Sequence, residues 1–258
     1  MHFERCTVTA NEEYGPGHWV IALRSGQDLS GIKAGEFLNL QCDPEDSWSL
    51  LRPLSILGVD LAANTMLVYY KHLGRMSRAL SSVQAGEALN VLFPLGGRFP
   101  VDMAHRRIAL IGGGVGLAPL LFLAKQLEDS GMEIDAYFGG ASKPDLVLRM
   151  LEPYNCNMIL STDDGSHGYR GNCVDCYFDS GRSHDAIYTC GPNPMMNALK
   201  ARLDGSVPCW ASLEEYMACG VGACLGCATH IDNAGNRANE TVCKKGPVFD
   251  LSKVVFHH

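Results

Sequence analysis

The chain has 258 residues, 47% hydrophobic and 19% charged, with a mean hydropathy of zero. That much apolar material excludes a disordered chain, and a net charge of −7 excludes a general nucleic-acid binder, which needs a basic footprint. The longest apolar stretch, Ile108 to Ala124, is broken by four Gly and by Pro119. It falls short of the roughly 20 apolar residues of a membrane span, and the N-terminus has no apolar leader core, so the expected place is the cytoplasm.

Residues 1–98 are short alternating runs separated by turn residues: Phe3–Ala10, His18–Leu23, Glu36–Gln41, Thr65–Lys71 and Ala88–Phe93, with turn clusters at Tyr14-Gly15-Pro16-Gly17 and Cys42-Asp43-Pro44. This spacing predicts a small antiparallel β-barrel or sandwich. Residues 99–208 alternate strand and helix. Arg107–Ile111, Glu133–Phe138, Met158–Ser161 and Ala186–Cys190 read as strands, and Leu117–Ser130 and Asn193–Leu203 as helices. That alternation predicts an α/β unit with a parallel sheet. Residues 209–258 form a Cys- and Gly-rich third unit, where Ser212-Leu213-Glu214-Glu215 has the form of a capping box and predicts a short helix leading to Cys219.

Eleven cysteines are too few for a disulfide scaffold, and they are not evenly spread. Cys219, Cys224, Cys227 and Cys243 make a C-x4-C-x2-C-x15-C pattern. A C-x4-C-x2-C run with a distant fourth Cys is the plant-type [2Fe–2S] spacing. Gly220, Gly222 and Gly226 give the tight ligand loop the backbone freedom it needs. Four thiolates also suit a structural zinc ion, although such sites favour paired C-x2-C knuckles.

Gly112, Gly113, Gly114, Val115 and Gly116 follow a predicted strand and open a predicted helix, the place where backbone N–H groups and the helix N-terminus receive a pyrophosphate. Leu117 replaces the third glycine of the strict dinucleotide fingerprint. Further loops at strand ends, Gly139-Gly140-Ala141, Asp163-Asp164-Gly165 and Cys190-Gly191-Pro192, support a nucleotide crevice. Arg52-Pro53-Leu54-Ser55 stands where a barrel strand begins. Its Arg suits a phosphate, but composition alone favours the plainer reading of a surface residue at a strand start.

These pieces in this order resemble the ferredoxin–NADP reductase superfamily. The tail from Ser212 to Cys227, Val242 to Asp250, Thr162 to Gly168 and Cys190 to Met196 are similar to the electron-transfer subunit of class 1B dihydroorotate dehydrogenase. The resemblance implies FAD in the barrel, NAD in the middle unit, a [2Fe–2S] cluster in the tail and an FMN-containing catalytic subunit as partner, two of each. It implies that Arg52, Pro53, Leu54 and Ser55 hold FAD, that Tyr69, Tyr70 and Lys71 line it, and that Met76 and Ser77 meet its pyrophosphate. Gly-Thr is usual where Met76 and Ser77 stand. Gly112–Gly116, Gly191 and Pro192 would hold NAD, with Ser55 near flavin N5 and Cys190 beside the nicotinamide. Cys190 equally reads as a small residue ending a buried strand. The expected path is partner FMN to cluster to FAD to NAD⁺. Sulfide dehydrogenase and transhydrogenase subunits share the layout, and a zinc-stapled nucleotide-binding module is the non-enzyme alternative.

Overall fold

A computed structural model describes residues 1–42, 50–233 and 235–256. Asp43 and Pro44 of the expected turn cluster lie outside the described residues. The first six strands are β1 (His2–Gly15), β2 (His18–Arg24), β3 (Phe37–Leu40), β4 (Arg52–Asp60), β5 (Thr65–Lys71) and β6 (Ala88–Leu95). They close an antiparallel barrel in the order β1-β2-β5-β4-β3-β6. Strand β6 shows the period of two that drives closure: Leu89, Val91 and Phe93 are buried in the barrel core while Ala88, Asn90 and Leu92 are half-exposed. Helix α1 (Arg75–Ser82) follows β5 and buries Leu80 in the same core.

The middle of the chain runs β7 (Arg107–Gly113), α2 (Leu117–Gln126), β8 (Glu133–Gly140), α3 (Leu148–Leu151), β9 (Asn157–Thr162), β10 (Tyr169–Arg170), α4 (Cys173–Asp179), β11 (Ala186–Cys190) and α5 (Asn193–Arg202). The tail adds β12 (Cys209–Ser212), β13 (Ala228–Asn233), β14 (Asn236–Thr241), α6 (Val242–Lys245), β15 (Val248–Asp250) and β16 (Val254–Val255). One sheet of seven strands has the order β10-β9-β8-β7-β11-β12-β15. All its pairings are parallel except that of β12 with β15. Ile108 to Gly113 of β7 are buried without alternation, as a central strand covered on both faces requires. The tail's β13, β14 and β16 form a separate small sheet.

The helix expected from Ser212 does not form. Ser212 ends β12, and residues 213–217 run without regular structure. Pairing of β12 with β11 on one side and β15 on the other outweighs the local capping signal. The helix expected over Leu117–Ser130 is regular only as far as Gln126.

The three parts share seams. Helix α2 is buried from Leu117 to Ala124 and packs on β4 of the barrel as well as on β7 and β11. Lys71 on β5 pairs with Asp145, between β8 and α3, at 2.7 Å. The guanidinium of Arg149 stacks 4.4 Å over the ring of Tyr14. The tail is tied to both neighbours: Gly97 N–H donates to the Gly246 carbonyl (2.7 Å) and Lys200 Nζ to the Val254 carbonyl (2.6 Å), while inside the tail Leu213 N–H donates to the Pro247 carbonyl (2.9 Å). One hydrophobic cluster joins Phe37 and Leu95 of the barrel, Ala109 and Ile111 of the sheet, and Cys227, Ile231 and Val242 of the tail.

Candidate functional site

The barrel segment begins at β4. Arg52, Pro53, Leu54 and Ser55 are all half-buried, so each keeps atoms open to a ligand. In register, Arg52 faces Leu40, Pro53 faces Asn39 and Ser55 faces Phe37. Tyr69 and Tyr70 are only 2% exposed, and their hydroxyls are used inside the protein. Tyr69 shares a 2.5 Å hydrogen bond with His18 Nδ1, and Tyr70 donates to Asn11 Oδ1 at 2.9 Å. Burial lowers the pKa of His18, so that imidazole is neutral. The Lys71 ammonium is held by Asp145, and that contact keeps the Asp145 carboxyl below its usual range. Tyr69, Tyr70 and Lys71 therefore shape the barrel wall and its seam.

Met76 and Ser77 fall in the first turn of α1. The Ser77 hydroxyl accepts from the N–H groups of Leu73 (2.9 Å) and Gly74 (3.0 Å), which closes the cap. The Met76 side chain packs against the barrel core. The substitution of Met for the usual Gly is accommodated inward, and the first-turn N–H groups can still face an anion.

The second subsite lies at the carboxyl ends of β7 and β11, where the strand order reverses. Open parallel sheets bind nucleotides at such a switch point. Gly112 and Gly113 end β7, and Gly114, with φ of +59°, turns the chain through Val115 and Gly116 into α2. A Cβ on Gly116 would overlap the Cys190 carbonyl, so glycine alone lets the two loops meet. A Cβ on Gly191 would press on Met195 Cε and come within 3.1 Å of Gly113 N, and Pro192 is exposed beside it. Cys190 is fully buried, and burial raises its thiol well above the usual range. It is a neutral group, not a nucleophile. Glu214, missed as a site residue by sequence reasoning, lies close enough to Cys190 for its charge to raise that thiol, and it is exposed. Partial desolvation of its carboxyl by the surrounding protein raises it above the usual range. Its position two residues past a strand ending beside the Cys190 loop is the signal that could have found it.

The third subsite is the cysteine loop, reached directly from β12. Gly220 and Gly222 have φ of +69° and +83°, and Leu225 has φ of +58°. The four thiols do not gather about one point: among the described residues no three metal-ligating side chains do. They come as two pairs. Cys224 N–H lies 3.4 Å from Cys219 Sγ, and Cys243 N–H lies 3.5 Å from Cys227 Sγ. Val221 N–H also donates to Cys219 Sγ, and Gly226 N–H to Cys224 Sγ, each at 3.4 Å. Backbone donation from Val221 and Cys224 lowers the Cys219 thiol to about 6, whereas burial lifts Cys243 to about 11. An all-sulfur donor set in two pairs, fed by backbone N–H groups, fits a two-iron cluster with two thiolates per iron better than one tetrahedral zinc. Cys227 and Cys243 are buried, Cys219 is half-buried and Cys224 is exposed.

Comparison with known proteins agrees with this layout. Residues 214–255 match the family described as the iron-sulfur cluster binding domain of dihydroorotate dehydrogenase B. The chain is 36% identical over 255 residues, 98% of both chains, to a protein of Geobacillus thermodenitrificans (strain NG80-2) named dihydroorotate dehydrogenase B (NAD(+)), electron transfer subunit. It is 33% identical over 257 residues, 99% of both chains, to the protein of that name from Streptococcus pneumoniae (strain ATCC BAA-255 / R6). Among solved structures, an NADH-dependent reduced ferredoxin-NADP oxidoreductase studied for flavin-based electron bifurcation superposes with a TM-score of 0.86 at 24% identity, covering 98% of this chain and 90% of that one. Phthalate dioxygenase reductase gives 0.64 at 18% identity, covering 94% and 77%. With full-length relatives above 30% identity, the chain belongs to the family of dihydroorotate dehydrogenase B (NAD(+)) electron transfer subunits.

Proposed function

We propose that this chain carries electrons from a catalytic subunit that oxidises dihydroorotate on FMN to NAD⁺, using a [2Fe–2S] cluster and FAD. A flavin exchanges a hydride with nicotinamide and single electrons with an iron–sulfur cluster, so its place is between the two. The observation that carries the reading is the position of the cysteine loop. It continues from β12, beside the strand that ends in Cys190, and its Gly220 is seated on the barrel strand opposite Pro53. All three subsites therefore meet at one junction.

Within that reading each residue has a task. Arg52 to Ser55 and the first turn of α1 at Met76 and Ser77 bind FAD, with Tyr69, Tyr70 and Lys71 shaping its wall. Gly112 to Gly116, Gly191 and Pro192 bind NAD. Ser55 offers a hydroxyl where the two rings meet, and the fully buried Cys190 packs behind that point without reaching it. Cys219, Cys224, Cys227 and Cys243 hold the cluster. The working units are 1–98, 99–208 and 209–258, although the sheet continues through β12 and β15 of the last. Partner docking falls at the loop, where Tyr216 (87% exposed), Val221 (40%) and Leu225 (66%) stand out beside the ligands. Exposed apolar groups gathered around a redox centre suit a protein partner. The proposed place of work is the cytoplasm: no helix among the described residues is long and apolar enough to cross a membrane, and the eleven cysteines are free thiols.

The test is anaerobic co-purification with the catalytic subunit of the same organism, followed by mixing with dihydroorotate and NAD⁺. Formation of NADH only when both chains are present is the expected result. A stable complex with a different redox enzyme, and no NADH from dihydroorotate, would point to the transhydrogenase or sulfide dehydrogenase alternative.

A further inference from the structure

Strand β3 divides its side chains. Leu38 and Leu40 enter the barrel core, while Phe37 joins the cluster of residues shared with the tail. Asn39 is on the same face as Phe37, because residues two apart in a strand share a face. Its cross-strand partner is Pro53, and that of Phe37 is Ser55, so this face also carries the segment assigned to the flavin.

Asn39 is 0% exposed, and neither its Nδ2 nor its Oδ1 has a hydrogen-bond partner. A buried amide with both ends unsatisfied is costly, and native proteins rarely leave one without a ligand to meet it. The amide is not aimed at apolar packing in general. A Cβ placed on Gly220 would overlap Asn39 Nδ2, with Asn39 Cγ at 3.2 Å and Leu95 Cδ1 at 3.4 Å. Gly220 follows Cys219 and has φ of +69°. A bare, left-handed residue next to a cluster ligand thus lets the donor end of a buried amide approach the loop from the barrel.

We propose that Asn39 is a positioning residue of the iron–sulfur centre. Its amide N–H, reaching out of the flavin barrel at the Cys219–Gly220 step, donates to the sulfur shell of the bound cluster and sets its reduction potential. This rests on the reading that the four cysteines hold a [2Fe–2S] cluster. A donor to sulfur offsets the negative charge gained on reduction, so it raises the potential. It also pins the cluster loop to the strand opposite Pro53, fixing the approach of cluster to flavin.

The test uses the full chain purified anaerobically, as wild type, Asn39→Leu and Asn39→Ser. Leu keeps the volume and removes the donor; Ser keeps a donor and loses volume. Iron content is measured first, and the cluster and flavin midpoints are then titrated separately by their visible and electron paramagnetic resonance signals. Asn39→Leu is expected to retain iron and to shift the cluster's reduced-to-oxidised ratio at fixed potential at least tenfold toward oxidised, about 59 mV for one electron. The flavin midpoint is expected to stay put, and Asn39→Ser to keep most of the wild-type cluster potential. An unchanged potential in Asn39→Leu with full iron overturns the proposal. If Asn39→Leu loses its iron, Asn39→Ser decides: full iron with the wild-type potential supports the donor role, and loss of iron or a shifted potential overturns it. Wild-type chain without iron would instead sink the cluster reading itself.

Discussion

Cys224 is the exposed member of the four thiols, while Cys227 and Cys243 are covered by the tail's own core. On the proposed assignment, removing it takes away one ligand without opening the interior. Cys224→Ser is expected to lose nearly all iron and the cluster's visible bands while the flavin spectrum remains. Iron assay and absorbance on the same sample check it. At the opposite end of the sheet, the buried His184 imidazole meets Asp135 at 3.0 Å through Nε2, and its Nδ1 has no partner. Burial lowers the pKa of His184 despite Asp135, and it also lowers that of His18. Both folded values lie below the unfolded value of about 6.5. Below that pH the unfolded chain binds more protons than the folded one, so stability falls with acidification. Denaturant midpoints are expected to drop between pH 7.5 and pH 5.5, and His184→Gln to flatten that slope while lowering the midpoint at pH 7.5.

Among the elements, the meeting of the two glycine loops is the most constrained. Gly116 has an ordinary helical backbone, so its requirement is purely steric. Gly116→Ala pushes the turn off the Cys190 carbonyl and is expected to weaken NAD binding at least tenfold, about 1.4 kcal/mol, with iron and flavin contents unchanged. Titration of NAD⁺ against the flavin spectrum measures this. Strands Thr65–Lys71 and Ala186–Cys190 have the bounds their alternation and apolar runs predict. The glycine turn, with its strand before and helix after, was equally legible, because each signal is local. What the sequence did not reveal depends on distant partners. Ser212 reads as a helix cap until β15 returns to pair beside it. Asn39 reads as one polar residue in an apolar run, and only the tail's packing shows that its amide is buried. Asp145 gave no hint that it would hold Lys71 across the seam.

At the scale of the whole molecule, the proposed docking face is the exposed loop around Cys219 and Cys224. Leu225 holds a left-handed backbone conformation that a branched apolar side chain dislikes, and yet it points its side chain to solvent. Strain at an exposed apolar residue suggests selection for contact. Leu225→Asn should leave the isolated chain equally stable or up to about 1 kcal/mol more so, since Asn tolerates that conformation. The same change is expected to weaken the complex with the catalytic subunit at least tenfold, with NADH-to-dye activity unaffected. Thermal melts and titration calorimetry separate the two effects.

The tail's two ties, Gly246 to Gly97 and Val254 to Lys200, with Pro247 held to Leu213 inside it, fasten the unit that carries the cysteine loop to both neighbours. A carrier on a tether must swing between donor and acceptor, and its rate falls in a thicker solvent. A carrier bolted to both neighbours hands on charge without travel. Glycerol should therefore slow the meeting of two subunits in dilute solution and leave the internal transfer within an assembled complex unchanged.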